Sequence, residues 1–162
     1  MKTPSKEKKK TEKSSGKRPL TFWVVFLAIV FFDQLVKYLV RTNFVPGSSN
    51  SVIGSILSFT YVNNTGISFG LLKGMNLLFI IVSFLALALF DYIYMKNRKY
   101  GTQLAVICAG IAGNLIDRLT LGYVVDFIDF HFWPVFNLAD SAISLGILWL
   151  VFMLIKNKDD LI

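Results

Sequence analysis

The sequence predicts an α-helical integral membrane protein with four transmembrane helices and a small extracytoplasmic β-sheet and loop region. Three observations predict it. The chain of 162 residues is 54% hydrophobic and holds four apolar runs of bilayer length, which soluble domains rarely carry. Its Lys and Arg residues are concentrated in three places, as the positive-inside rule requires. Between the runs lie two segments, 42–76 and 120–136, too polar to span and carrying strand-like alternation. The single cysteine, Cys108, sits inside an apolar run and reads as a small core residue; one cysteine supplies neither a disulfide framework nor a Cys-based zinc site.

Residues 1–19 form a basic tail. Eight Lys and Arg stand there against Glu7 and Glu12, whereas the rest of the chain is almost neutral. The tail lacks apolar periodicity and is expected to be disordered. No aromatics are interleaved with its lysines, so nucleic-acid binding is not expected. Anchoring against anionic lipid on the cytoplasmic side fits better.

The membrane domain is expected over 20–156. Its first span covers about 20–41 and continues past Asp33 without a small-x-small cleavage site, so it reads as retained and not as a signal peptide. Asp33 and Lys37 lie four residues apart on one helical face and can pair. Asn43 to Ser51 is turn chemistry, and the alternating run from Ile56 to Val62 reads as a strand. The second span covers about 77–95. The third covers about 102–119, with Gly110, Ala112 and Gly113 making a small face for close helix contact. Asn114 and Arg118 share one face at its end, and Asp117 points about 100° away from Arg118. The fourth span covers about 138–155, and 157–162 form a short tail.

The N-terminal tail, the 96–100 loop and the C-terminal tail hold eight, three and two basic residues, and the 120–136 segment holds none. Both termini are therefore expected in the cytoplasm, with 42–76 and 120–136 on the outer side. Asp33, Lys37, Asn114, Arg118, Asp126, Asn137 and Asp140 then all fall near the outer face, and Asp91 alone lies near the inner one. An acid in the bilayer costs about 2.5–3.5 kcal/mol on insertion scales, so such clustering marks a site.

The stretch 122–140 concentrates the chemistry. Asp126 lies in a strand-like Val-Val-Asp-Phe, and Asp140 follows Asn137 where a helix should begin. A loop acid and a helix-start acid, fourteen residues apart, can converge. Nucleophilic serine chemistry would have only His131 as base, and Gly-x-Ser-x-Gly is absent. No glutamate follows Glu12, which excludes His-Glu-x-x-His. His131, between two phenylalanines, reads as an interfacial side chain. A carboxylate pair sharing one proton remains, with one acid as base to water and the other as hydrogen-bond donor to a carbonyl.

Asp33-Gln-Leu-Val-Lys37, Asn64-Thr-Gly-Ile-Ser-Phe69, Gly113-Asn-Leu-Ile-Asp-Arg118, Val124-Val-Asp-Phe127 and Phe136-Asn-Leu-Ala-Asp140 resemble, in order, the motifs of bacterial lipoprotein signal peptidase (signal peptidase II). The resemblance covers about 20–155. It implies an aspartic endopeptidase of the inner membrane, acting near the outer face without cofactor or metal. That family removes the signal peptide of prolipoproteins just before a diacylglyceryl-modified cysteine. By the resemblance, Asp126 and Asp140 are the catalytic pair. Asp33, Lys37, Asn64, Gly66, Asn114, Arg118 and Asn137 match positions that shape the site and bind substrate. The implied partners are diacylglyceryl prolipoproteins and membrane lipid, with the enzyme a monomer. Ile67-Ser68 stands where the family has a pair of alanines, and the lysine-rich tail is longer than the family's.

Plainer readings stand beside these. Asn137-Leu-Ala-Asp140 is also an N-cap with an acid three residues on, which could aim Asp140. Asp129 reads as an exposed loop acid facing away from Asp126, and Asp117 as the structural partner of a cation. Two rival classes would use parts of the same pattern. An ion or proton path should spread polar groups through the full bilayer depth, and a non-enzymatic assembly protein would need no convergent acid pair.

Overall fold

The computed structural model describes residues 18–66 and 75–157. The tails at 1–17 and 158–162, together with Ile67, Ser68, Phe69 and Lys73, lie outside the described residues. The elements are α1 (Leu20–Asn43), β1 (Ser49–Ile53), β2 (Leu57–Asn64), α2 (Asn76–Lys96), a single 3-10 turn (Arg98–Tyr100), α3 (Gly101–Thr120), β3 (Val124–Asp129) and α4 (Leu138–Lys156).

Among the described residues, α1, α2 and α4 are long and apolar enough to cross a membrane. They bury little of their own surface, and their Leu, Ile, Val and Phe side chains face outward, as lipid-facing helices should. At 20 residues α3 is similar in length but different in character. Most of it is buried, because α1, α2 and α4 all pack on it. A helix shielded from lipid can carry Gln103, Asn114 and Asp117, which explains its lower hydropathy.

Small residues permit that packing. A Cβ on Gly110 would strike the Ala139 carbonyl and lie 2.8 Å from the Ile143 side chain. One on Gly113 would lie 2.6 Å from Asp33 Oδ2, and one on Gly146 2.7 Å from Ile107 Cγ1. The small face expected at 110–113 is therefore the seam where α1, α3 and α4 meet. At the end away from the sheet, Phe22, Tyr94, Tyr100, Leu104 and Ala105 form an apolar cluster.

The sheet is antiparallel in the order β1-β2-β3. Tyr61, Val125 and Phe127 pack with Val40 of α1, seating the sheet on that end of the bundle. Sequence reasoning missed β1, whose first three residues, Ser49 to Ser51, fall in the stretch read as a turn: it is a wholly exposed edge strand with no apolar face to reveal it. A register shift between Phe59 and Val62 sets Val62 opposite Asp126. Beyond β3 the chain folds back, and Phe136 pairs with Ile128. The Phe136 carbonyl accepts from Ile128 N at 2.7 Å and Phe127 N at 3.0 Å. This return brings Asn137 and the start of α4 beside Asp126.

Candidate active site

Asp126 arrives on β3 and Asp140 on the first turn of α4. One residue touches both. Asn137 Nδ2 donates to Asp126 Oδ1 at 2.7 Å, and the Asn137 backbone N donates to Asp140 Oδ2 at 3.2 Å. Asn137 Oδ1 in turn accepts from Asp140 N at 2.9 Å, completing a capping box. The N-cap expected from sequence and the convergence of the two acids are therefore the same structure.

Two further amides hold the outer oxygens. Asn64 Nδ2 donates to Asp126 Oδ2 at 2.8 Å, while its Oδ1 accepts from Gly66 N at 3.0 Å. Gly66 thus fixes which end of the Asn64 amide faces the acid. Asn114 Nδ2 donates to Asp140 Oδ1 at 2.7 Å. Its Oδ1 accepts from Lys37 Nζ at 3.0 Å and from Asn137 Nδ2 at 3.1 Å. Since an ammonium can only donate, Lys37 dictates the orientation of the Asn114 amide.

Beneath this layer Lys37 pairs with Asp33 at 2.8 Å and with Asp117 at 3.1 Å. Asp33 and Lys37 are almost wholly buried, so their pair belongs to the protein interior. Asp33 Oδ1 also accepts from Ala139 N at 2.9 Å, which ties α1 to the positive end of α4. Asp117 Oδ2 accepts from Val125 N at 3.0 Å, anchoring the start of β3. Asp117 is the partner of a cation, as the sequence suggested. Gln34 was not singled out from sequence, yet its Nε2 reaches Asp117 Oδ1 at 2.9 Å and the Gly113 carbonyl at 3.1 Å. Its place beside Asp33 and its amide were the available signals. Arg118 is half-buried; its guanidinium lies 5.1 Å from the Phe79 ring centre and within electrostatic range of Asp140 and Asp126.

Burial pushes the Asp126 carboxyl up to about 7, and the neighbouring Asp140 charge pushes the same way. Hydrogen bonds from Asn64 and Asn137, and the Lys37 charge, oppose the rise without cancelling it. Asp140 borders a cavity of about 390 Å³ whose walls include Phe130, Trp133, Phe136, Ser141 and Leu145. One carboxylate is therefore enclosed and the other reachable from a groove.

Asp129 departs from its expected place as an exposed loop acid. It ends β3, is only partly exposed, and accepts from Thr60 Oγ1 at 2.7 Å and His131 N at 2.8 Å. Strand pairing continues two residues beyond Phe127, which carries Asp129 into the sheet. His131 adopts φ 61°, and its ring lies 3.1 Å from Ser58 Oγ. Among the described residues, no three His, Cys, Asp or Glu side chains converge as a metal site requires. Among the described residues, the buried charged ones, Asp33, Lys37, Asp117 and Asp126, all lie at the sheet end, which does not suit a path through the bilayer.

Fold and site together define a membrane helical protein with a paired-carboxylate centre at one end of its bundle, the class of an aspartic-type membrane peptidase. The family model described as signal peptidase (SPase) II matches residues 25–156. The chain belongs to the signal peptidase II family. It is 44% identical over 140 residues to a lipoprotein signal peptidase of Moorella thermoacetica, covering 84% of this chain and 93% of that one. A lipoprotein signal peptidase of Lactobacillus johnsonii is 40% identical, with 90% and 99% covered. A bacterial membrane enzyme solved by the in meso method at 2.3 Å superposes with a TM-score of 0.80 at 32% identity, covering 86% of this chain and 90% of that one.

Proposed function

We propose that this peptidase removes the signal peptide from diacylglyceryl-modified prolipoproteins, cleaving before the lipidated cysteine, with Asp126 and Asp140 activating water. The observation that carries the reading is the convergence of the two carboxylates on Asn137, at 2.7 Å and 3.2 Å. With the Asp126 carboxyl raised to about 7, the pair holds one proton near neutral pH. The ionised member takes a proton from water, whose oxygen attacks the scissile carbonyl carbon. The protonated member donates its hydrogen to the carbonyl oxygen, and collapse of the tetrahedral intermediate transfers a proton to the departing amine. Asn64, Asn114 and Asn137 supply only donors to the carboxylates, which keeps the oxygens aimed without adding charge.

Asp33 and Lys37 set the floor of the site, Gly66 orients Asn64, and Arg118, beside the Phe79 ring, is placed to meet the substrate's backbone or lipid. The groove beside Asp140 suits an apolar substrate part. Phe132 and Trp133 are strongly exposed on the same loop, as aromatic side chains at a membrane interface should be. The count of basic residues supports cytoplasmic termini and a site near the outer face of the bacterial inner membrane. There the diacylglyceryl group stays in lipid while the peptide bond meets water, and one chain supplies every residue of the site. Cleavage of a lipidated precursor peptide should greatly exceed that of its unlipidated counterpart. Equal rates would show that lipid does not place the substrate.

A further inference from the structure

Among its described residues α2 brings none to the acid pair, yet its first turn holds Arg118 at two points. Asn76 Nδ2 donates to the Arg118 carbonyl at 3.1 Å. Three residues along, on the same face of α2, the Phe79 ring centre lies 5.1 Å from Arg118 Cζ. One turn of one helix therefore grips both the backbone and the charged head of the same site residue.

The guanidinium is not where charge alone would send it. Asp140, Asp126 and Asp117 all attract it. Among the described residues it forms an ion pair with none of them. Asp117 is taken by Lys37 at 3.1 Å, and the oxygens of Asp126 and Asp140 accept from Asn64, Asn114 and Asn137. Lys37 of α1, the other cation facing the pair, is fixed between Asp33 and Asp117, and the first turn of α2 carries no charge. Arg118 is thus the cation whose distance from the pair α2 can set.

A guanidinium is drawn to an aromatic ring, and more strongly where water is excluded. The ring offers the cation a seat that is not an acid. The difference matters, because an arginine in direct contact favours the ionised form of a carboxyl. Two ionised acids would have no proton to give to a carbonyl oxygen. We propose, on the reading of Asp126 and Asp140 as the reacting pair, that Phe79 is a positioning residue. Its ring keeps the Arg118 cation beside the two acids but out of contact with them, so that the pair retains its shared proton. Asn76 fixes the backbone from which that side chain reaches out.

The test is the pH dependence of kcat/KM in the full-length enzyme, with a lipidated precursor peptide. Phe79→Leu keeps an apolar side chain and removes the ring. Its alkaline limb, expected near pH 7 in the wild type, should move about one pH unit lower. At about pH 7.5 its kcat/KM should fall roughly fivefold to tenfold, and the gap should close toward about pH 5. Phe79→Tyr keeps an aromatic face and should restore the wild-type limb. In an Arg118→Gln background, Phe79→Leu should leave the limb where Arg118→Gln alone puts it, since no cation remains to move. The position of the limb does not depend on how much of a preparation is folded, so a merely structural ring would not move it. An unmoved limb in Phe79→Leu, or the same shift with and without Arg118, would overturn the role of Phe79 and leave the acid pair standing. Full turnover in Asp126→Asn or Asp140→Asn would overturn both.

Discussion

Two pairs of acids lie one above the other at the sheet end of this protein, and they are held in opposite ways. Asp33 and Asp117 share a cation, Lys37, at 2.8 Å and 3.1 Å. Asp126 and Asp140 are held by neutral amides, Asn64 on the first, Asn114 on the second and Asn137 on both. In the lower pair charge is matched within the interior, which gives rigidity and no reactivity. In the upper pair two acids crowd together with hydrogen-bond donors and, among the described residues, no cation in direct contact, and the Asp126 carboxyl is driven up to about 7. The same side-chain type is thus structural when paired with a lysine and reactive when paired with another acid. Lys37 joins the two layers, because it also fixes the Asn114 amide that holds Asp140.

Breaking the upper pair should have the largest effect on turnover. Asp126→Asn and Asp140→Asn each remove the shared proton, and kcat in a purified assay is expected to fall roughly 10²–10⁴-fold, the range of general acid–base contributions. Substantial activity in Asp140→Asn would end the two-carboxylate account. Stability should move the other way for Asp126→Asn. A carboxyl raised from 3.8 to about 7 binds more protons folded than unfolded, so the fold loses stability as pH rises across that window. The amide does not ionise, and its Tm should exceed the wild type's above pH 7.

Breaking the lower pair should act chiefly on the fold. Lys37→Met leaves Asp33 and Asp117 buried without their cation, which typically costs about 3–5 kcal/mol. It also frees the Asn114 amide, so activity should fall even where the variant remains folded. A loss of activity with unchanged Tm would mean that Lys37 serves the upper layer alone. A subtler change separates aim from charge. Asn64→Ala removes a hydrogen bond that lowers the Asp126 carboxyl, so that carboxyl should rise further. The fall in kcat/KM on the alkaline side, expected near pH 7 in the wild type, should then shift to higher pH. A lower kcat/KM with an unmoved limb would assign Asn64 to substrate contact.

Much of this was legible in the sequence, and unevenly so. The spans expected at 20–41, 77–95, 102–119 and 138–155 match α1 to α4 within two residues, because apolar runs between basic or turn residues have little choice of boundary. The Asp33–Lys37 pair follows from helical spacing alone. The neighbourhood of Asp126 was harder. Its contacts depend on the Ile128–Phe136 return and on the register shift near Val62, and neither leaves a periodic trace. Gln34 stayed hidden for a related reason: an amide beside Asp33 gains meaning only when α3 brings Asp117 against it.

The smallest effect should come from the third acid of the same strand. Asp129 ends β3 only three residues from Asp126, yet its surroundings differ. The Thr60 hydroxyl and the His131 backbone N hold its carboxyl below the usual carboxylate range. It is therefore ionised throughout the neutral range and has no proton to share. Any stability it lends is present above the unfolded carboxylate pKa and is lost as pH falls through its own lowered one. Asp129→Asn should keep kcat and KM within about threefold of wild type, since it leaves the amide network around Asp126 and Asp140 untouched. Its signature should be a weaker dependence of Tm on acid, measured below pH 5. If turnover collapsed instead, the hydrogen-bonded end of β3 would have to act on the site through the strand. The division between reactive and structural acids would then run along the sheet, and no longer between the amide layer and Lys37.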